Sequence, residues 1–206
     1  MTFSKTSQAK DLFYKKQYEK AYELFLEQKD YYACGLCCLL LKNTDLAYQY
    51  WQLNKNSSPA SQWGLCVLDL IQLKKSSIPT FFQTRAFLEV YLNLFIENNL
   101  IEWAENVVSM NELLFKANPE SYKFIARALF ANGIFDVAIM FCKKSLRVFY
   151  ADPEAFLILS QCHYLTGDLE EAKDDMARTL AISPTYYPAR LFDKVLKDVA
   201  QNPKKS

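Results

Sequence analysis

The sequence predicts an all-α protein, an α-solenoid of antiparallel helix hairpins ending in a C-terminal capping helix. Three observations carry this. Apolar residues recur at helical spacing in segment after segment, separated by short polar breaks. Glycine is scarce, with four in 206 residues, yet Gly133 and Gly167 stand 34 residues apart. Pro119 and Pro153 repeat that interval, as do Ala138 and Ala172. A fixed period of this size marks stacked repeats rather than a single layered core. With 51% apolar residues the chain has ample material for such a core.

The period divides the C-terminal part into three consecutive blocks, 85–118, 119–152 and 153–186. Each holds two helical segments broken at Asn98-Asn99, Asn132-Gly133 or Thr166-Gly167, where a residue tolerant of positive φ permits a tight turn. Along the whole chain the spacing predicts helices near 4–15, 18–28, 31–41, 45–54, 60–73, 80–97, 100–116, 120–131, 135–149, 154–165, 169–181 and 187–199. The last alternates apolar and charged residues (LFDKVLKDVA) and is expected to cap the final hairpin, whose outer face is otherwise apolar. Asn202 to Ser206 reads as a frayed polar tail. Two regions are expected: 1–78, built of short degenerate hairpins, and 79–206, containing the three regular repeats and the cap. LKKSSIP (Leu73 to Pro79) reads as the loop between them.

The residues of the blocks resemble the tetratricopeptide repeat (TPR), whose signature is W-x2-L-G-x2-Y, then A-x3-F, then P. The last block supplies Phe156, Leu159, Ser160, His163, Ala172, Met176 and Pro184 at those spacings. The middle block supplies Tyr122, Ile125, Ala126, Leu129, Ala138 and Cys142, with Tyr150 where proline is usual. The first is more divergent, with Leu88, Tyr91, Leu92, Phe95, Ala104 and Val108. Small residues at Ala126, Ser160, Ala138 and Ala172 suit closely crossing helices. In the N-terminal region the corresponding slots Ala9, Gly35, Gly64 and Leu92 are 26, 29 and 28 residues apart, shorter than the family period.

The same template explains Cys34-Gly-Leu-Cys37-Cys38, which by itself resembles a redox pair or half a zinc site. Tyr31, Cys34, Gly35, Cys38, Ala47 and Trp51 fall into the slots of Phe156, Leu159, Ser160, His163, Ala172 and Met176. The segment recurs as "WGLCVLDL" (Trp63 to Leu70), with Trp63 in place of Cys34 and Cys66 in place of Cys37. Packing tolerates such an exchange; thiol chemistry does not. A zinc site from Cys34, Cys37, Cys38 and Cys66 is the rival reading, opposed by the roughly 100° between consecutive residues on a helix. No metal or cofactor is expected.

Function is read from charge and from the groove. The 24 basic and 23 acidic residues leave a net charge of +1, which argues against nucleic acid or an anionic membrane as partner. No run of about 18 uncharged apolar residues occurs, and Met1 to Lys10 lacks the apolar segment of a signal peptide, so a cytoplasmic protein is expected. Phosphate loops, metalloprotease motifs and nucleophile elbows are missing, and the single histidine, His163, occupies an aromatic core slot. An enzyme is not expected. The resemblance implies a protein-interaction module whose first helices line a concave groove. Candidate groove residues are Glu89, Asn93, Lys123, Phe124, Arg127, Phe130, Leu157, Ile158, Gln161 and Tyr164. Lys123 and Arg127, one turn apart and flanked by amides and aromatics, suit a peptide carboxylate or acidic side chain beside an apolar one. Lys123 matches the lysine of the family members that clamp a chaperone C-terminus, but Arg127 and Ile158 replace that pattern's asparagines. The alternative is a self-assembling repeat protein, pairing through aromatics such as Phe3, Phe13 and Tyr14.

Overall fold

The computed structural model describes residues 5–201, all of whose regular structure is helical. Its thirteen helices are α1 (Lys5–Tyr14), α2 (Tyr18–Glu27), α3 (Tyr31–Leu40), α4 (Thr44–Asn54), α5 (Pro59–Ile71), α6 (Phe81–Glu97), α7 (Ile101–Ser109), α8 (Asn111–Ala117), α9 (Ser121–Ala131), α10 (Phe135–Val148), α11 (Pro153–Thr166), α12 (Leu169–Ile182) and α13 (Tyr187–Gln201). The all-α hairpin architecture expected from the sequence is the one observed. The expectations for Phe3 and for the tail from Asn202 lie outside the described residues.

One helix differs from expectation. The segment 100–116 is two helices, α7 and α8, broken at Met110. The cause is local: the Ser109 hydroxyl donates to the Asn106 carbonyl at 2.7 Å, and the Asn111 amide donates to the Val108 carbonyl at 3.0 Å. Side chains that bond nearby carbonyls compete with the helical ladder.

The hairpin turns share one geometry. At Asn99, Gly133 and Gly167 the chain enters the left-handed region, as the sequence suggests, with φ of 57°, 75° and 92°. Lys16, Lys29, Lys42 and Leu73 adopt the same conformation. At every one of these turns the following N–H reaches back five residues, for example Asn43 to the Cys38 carbonyl at 2.9 Å and Ile134 to the Leu129 carbonyl at 2.9 Å. This is the Schellman closure, which satisfies carbonyls left open at a helix end.

The chain divides into two compact units: residues up to Phe87 together with Leu94–Ala117, and Leu88–Asn93 together with the residues from Asn118 onward. In the first unit Trp51 of α4 is fully buried against α3 and α5, where Gly35 and Gly64 leave room for the indole. Its Nε1 donates to the Tyr32 carbonyl at 3.1 Å. Tyr22 and Tyr50 join hydroxyls at 2.6 Å, and Asn106 of α7 donates to the Ile71 carbonyl at the end of α5 at 2.8 Å.

In the second unit α9 to α13 stack in chain order. The two small slots of the last hairpin meet directly, the Ser160 hydroxyl donating to the Ala172 carbonyl at 2.5 Å. Ala189 and Leu196 of α13 close the core formed by Leu157, Ala172 and Met176, so α13 caps the final hairpin. Removing that apolar surface from water is the main stabilising term.

Candidate functional site

Lys123 and Arg127 lie one turn apart on α9, and both are held by carboxylates of the same unit. Asp152 precedes Pro153, whose fixed φ and missing N–H suit the first position of α11. One Asp152 oxygen caps that helix, accepting from the N–H groups of Glu154 at 3.0 Å and Ala155 at 3.3 Å. The other accepts from the Lys123 ammonium at 2.7 Å. Glu154 at 3.4 Å and Glu120 at 3.5 Å complete the shell around Lys123, whose side chain is only 12% exposed. Burial works to lower the Lys123 pKa, but the Asp152 hydrogen bond and the three carboxylate charges outweigh it and raise the value. Arg127 bridges helices, donating to Glu89 of α6 at 2.8 Å and to Glu154 of α11 at 3.2 Å. Four carboxylates thus surround two cations. Nearby, Tyr186 has its pKa raised, first by burial and then by the charges of Glu154 and Asp152.

The other groove candidates divide by burial. Asn93 accepts from the Asn132 amide at 2.7 Å. Phe130 is half-buried with its ring 6.0 Å from that of Phe135, Tyr164 stands edge-on to Phe192 at 5.5 Å, and Gln161 is half-buried. Phe124, Leu157 and Ile158 belong to the core, at 5–6% exposure, and present no side chain to a ligand. What the sequence reading missed is the anionic half of the network, Glu120, Asp152 and Glu154. The segment Asp152-Pro153-Glu154 carries a signal of its own, a capping residue, a first-turn proline and a first-turn acid. That signal announces a helix start, not an ion pair with a residue 29 positions earlier.

With this geometry in place the chain can be set beside known proteins. It is similar in structure to the C-terminal part of a TPR repeat-containing protein from Cytophaga hutchinsonii. That comparison gives a TM-score of 0.48 and 19% identity over 97% of this chain and 73% of the other. No protein-family model matches the chain, and no curated protein matches it.

His163 is packed between α11 and α12, its Nδ1 2.9 Å from Asp175 Oδ2, with both side chains buried. Burial raises the Asp175 pKa, and the His163 hydrogen bond and charge oppose that rise without cancelling it. All six cysteines are buried free thiols. Burial pushes Cys34, Cys37 and Cys162 up to about 12 and Cys38 and Cys66 up to about 11, and it raises Cys142 as well. Such thiols are poor nucleophiles. Among the described residues no three His, Cys, Asp or Glu side chains converge as metal ligands, and no helix is long and apolar enough to cross a membrane.

Proposed function

We propose that this protein is a divergent TPR-type adaptor that binds a segment of a partner protein on the face formed by α9, α11 and the Leu88–Asn93 turn of α6, without catalysing a reaction. The observation that carries the reading is the Glu89–Arg127–Glu154 bridge, which ties three successive first helices into one face. A face built across repeats is what a stacked-hairpin binder offers an extended ligand. Asn93 and Phe130, about one turn along their helices from Glu89 and Arg127, and Gln161 and Tyr164, farther along α11, supply amide and aromatic contacts. Lys123, 12% exposed, is enclosed by its own carboxylates, whereas Arg127, 39% exposed, is accessible to a partner carboxylate that competes with Glu89 and Glu154 for it.

The test is a photo-crosslinking amino acid placed at Gln161, with Tyr48 in the first unit as the control position. The expected result is a partner captured only from position 161 and lost in the Arg127→Ala, Tyr164→Ala double variant. Identical capture from both positions overturns the reading.

A second reading, self-assembly, is supported by α13, which leaves Tyr187, Leu191 and Val195 exposed at a spacing of four residues. Of the aromatics first considered for this role, Phe13 is engaged with Tyr18 at 5.3 Å, while Tyr14 is exposed. Light scattering that returns the 23.9 kDa monomer mass at high protein concentration rules this reading out.

A further inference from the structure

A cleft of about 400 Å³ lies among α10, α11 and α12, apart from the face just described. That is within the size range of small-ligand sites. Each helix contributes one face: Lys143, Leu146 and Arg147 from α10, Phe156, Leu159 and His163 from α11, and Glu171, Asp174, Asp175 and Arg178 from α12. The spacings of three, four and seven residues place each set on a single side of its helix.

The charges at the two ends of the cleft differ in sign, with a mixed group between them. Helices α10 and α12 run in the same direction, each antiparallel to α11 between them. Asp175 stands in the middle of the cleft, with the Arg178 guanidinium 3.8 Å from its Oδ1 and the Lys143 charge also acting on it. Arg147, in the last turn of α10, therefore shares one end of the cleft with Arg178. Glu171, in the first turn of α12, stands at the other end, with Lys143, Asp174 and Asp175 between them. Seven residues separate Glu171 from Arg178, about 10 Å along the helix axis, which is close to the span of three extended residues. Phe156 and Leu159 supply the apolar lining from α11, and Arg178 lies over the Phe156 ring at 5.8 Å. The His163 imidazole borders the middle of the cleft. Its Nδ1 is held by Asp175 at 2.9 Å, which leaves Nε2 as the second polar atom of the ring.

We propose that this cleft is a second binding site, for a peptide stretch of about three residues in which a cation and an anion flank one apolar side chain. The cation sits against Glu171 and Asp174, the anion against Arg147 and Arg178, the apolar side chain on Phe156 and Leu159. His163 Nε2 meets the peptide backbone. Opposite charges at the two ends select the direction in which the peptide lies as well as its composition.

Because His163 is the single histidine, its imidazole NMR signals report on the cleft without ambiguity. The full chain is titrated with N-acetyl-Lys-Leu-Glu-amide, with its neutral counterpart N-acetyl-Gln-Leu-Gln-amide, and with Ala-Leu-Ala bearing free termini. The expected result is a saturable shift of the imidazole signals with a charged probe, none with the neutral one, and at least tenfold weaker binding in Glu171→Gln and in Arg147→Gln. Both substitutions are at exposed positions, and unchanged helicity confirms that the variants fold. A response to Lys-Leu-Glu identifies the ligand as a segment within a longer chain, and a response to Ala-Leu-Ala alone identifies it as a free oligopeptide. No saturable shift with either charged probe, or an equal shift with the neutral one, overturns the proposal. Neither result bears on crosslinking from position 161.

Discussion

Gly35 and Trp51 approach so closely that a Cβ on Gly35 would lie 2.3 Å from the indole Nε1. The same indole covers Gly64, where an added Cβ would lie 2.5 Å from Cδ2. Trp51 cannot yield easily, being fully buried and tethered through Nε1 to the Tyr32 carbonyl. Elsewhere in a helix, glycine to alanine gains about 1 kcal/mol. Here Gly35→Ala and Gly64→Ala are each expected to lose about 1–3 kcal/mol through overpacking. Urea unfolding of each variant checks this, and a higher midpoint for either would refute the packing argument. Because both glycines press on one side chain, the double variant should depart from additivity.

At the turn after α3, Lys42 holds φ at 63°. A side chain in that region costs about 1–2 kcal/mol, part of which glycine returns as unfolded-state entropy. Lys42→Gly should therefore stabilise the protein by about 0.5–1 kcal/mol, read as a rise in Tm. Gly133→Ala, at φ 75° with open space around it, should do the reverse. A fall in Tm for Lys42→Gly contradicts the assignment of strain.

The cysteines give a third prediction. A thiol reagent at neutral pH should label none of the six in the native protein and all six after denaturation, since each is buried and each pKa is raised. Rapid native labelling of Cys34 or Cys37 would revive the thiol-chemistry reading.

Asp175 gives a fourth, with a definite sign. Its carboxyl pKa is raised in the folded state, chiefly by burial, so folding favours the protonated form. The stability it contributes is fully present below the ordinary carboxylate value and declines as pH rises through the raised one. Relative to Asp175→Asn, the wild type should lose stability as pH rises across that window and run parallel to the variant above it. Denaturant titrations at a series of pH values test this, and a difference that grows in favour of the wild type with rising pH contradicts it.

Residues that settle their own conformation were legible in the sequence. Asn99, Gly133 and Gly167 mark turns because they tolerate positive φ, and the 34-residue period follows from matching small and apolar slots. The cysteine cluster was legible as packing for the same reason, since Trp63 replaces Cys34 in its echo. Lys16, Lys29, Lys42 and Leu73 gave no such signal, because nothing intrinsic to lysine or leucine favours the left-handed region. Those turns form because Schellman bonds close them and, at Lys16, Lys29 and Lys42, because the helices on either side pack together. Ser109 and Asn111 carried a signal for the break at Met110 that helical periodicity concealed.

Tertiary structure alone decided the partners. Lys123 and Arg127 read as open cations because Asp152 and Glu154 lie about a repeat away, and only the stacking of α9 on α11 brings them together. The pairing of His163 with Asp175, and the division of the cleft into acidic and basic ends, likewise depend on which helices become neighbours. The sequence by itself determined the helices, the period and the regular turns, because backbone propensity and apolar spacing act within a few residues. Charge pairing acts through space between segments distant in the chain, so it was settled only when the hairpins stacked.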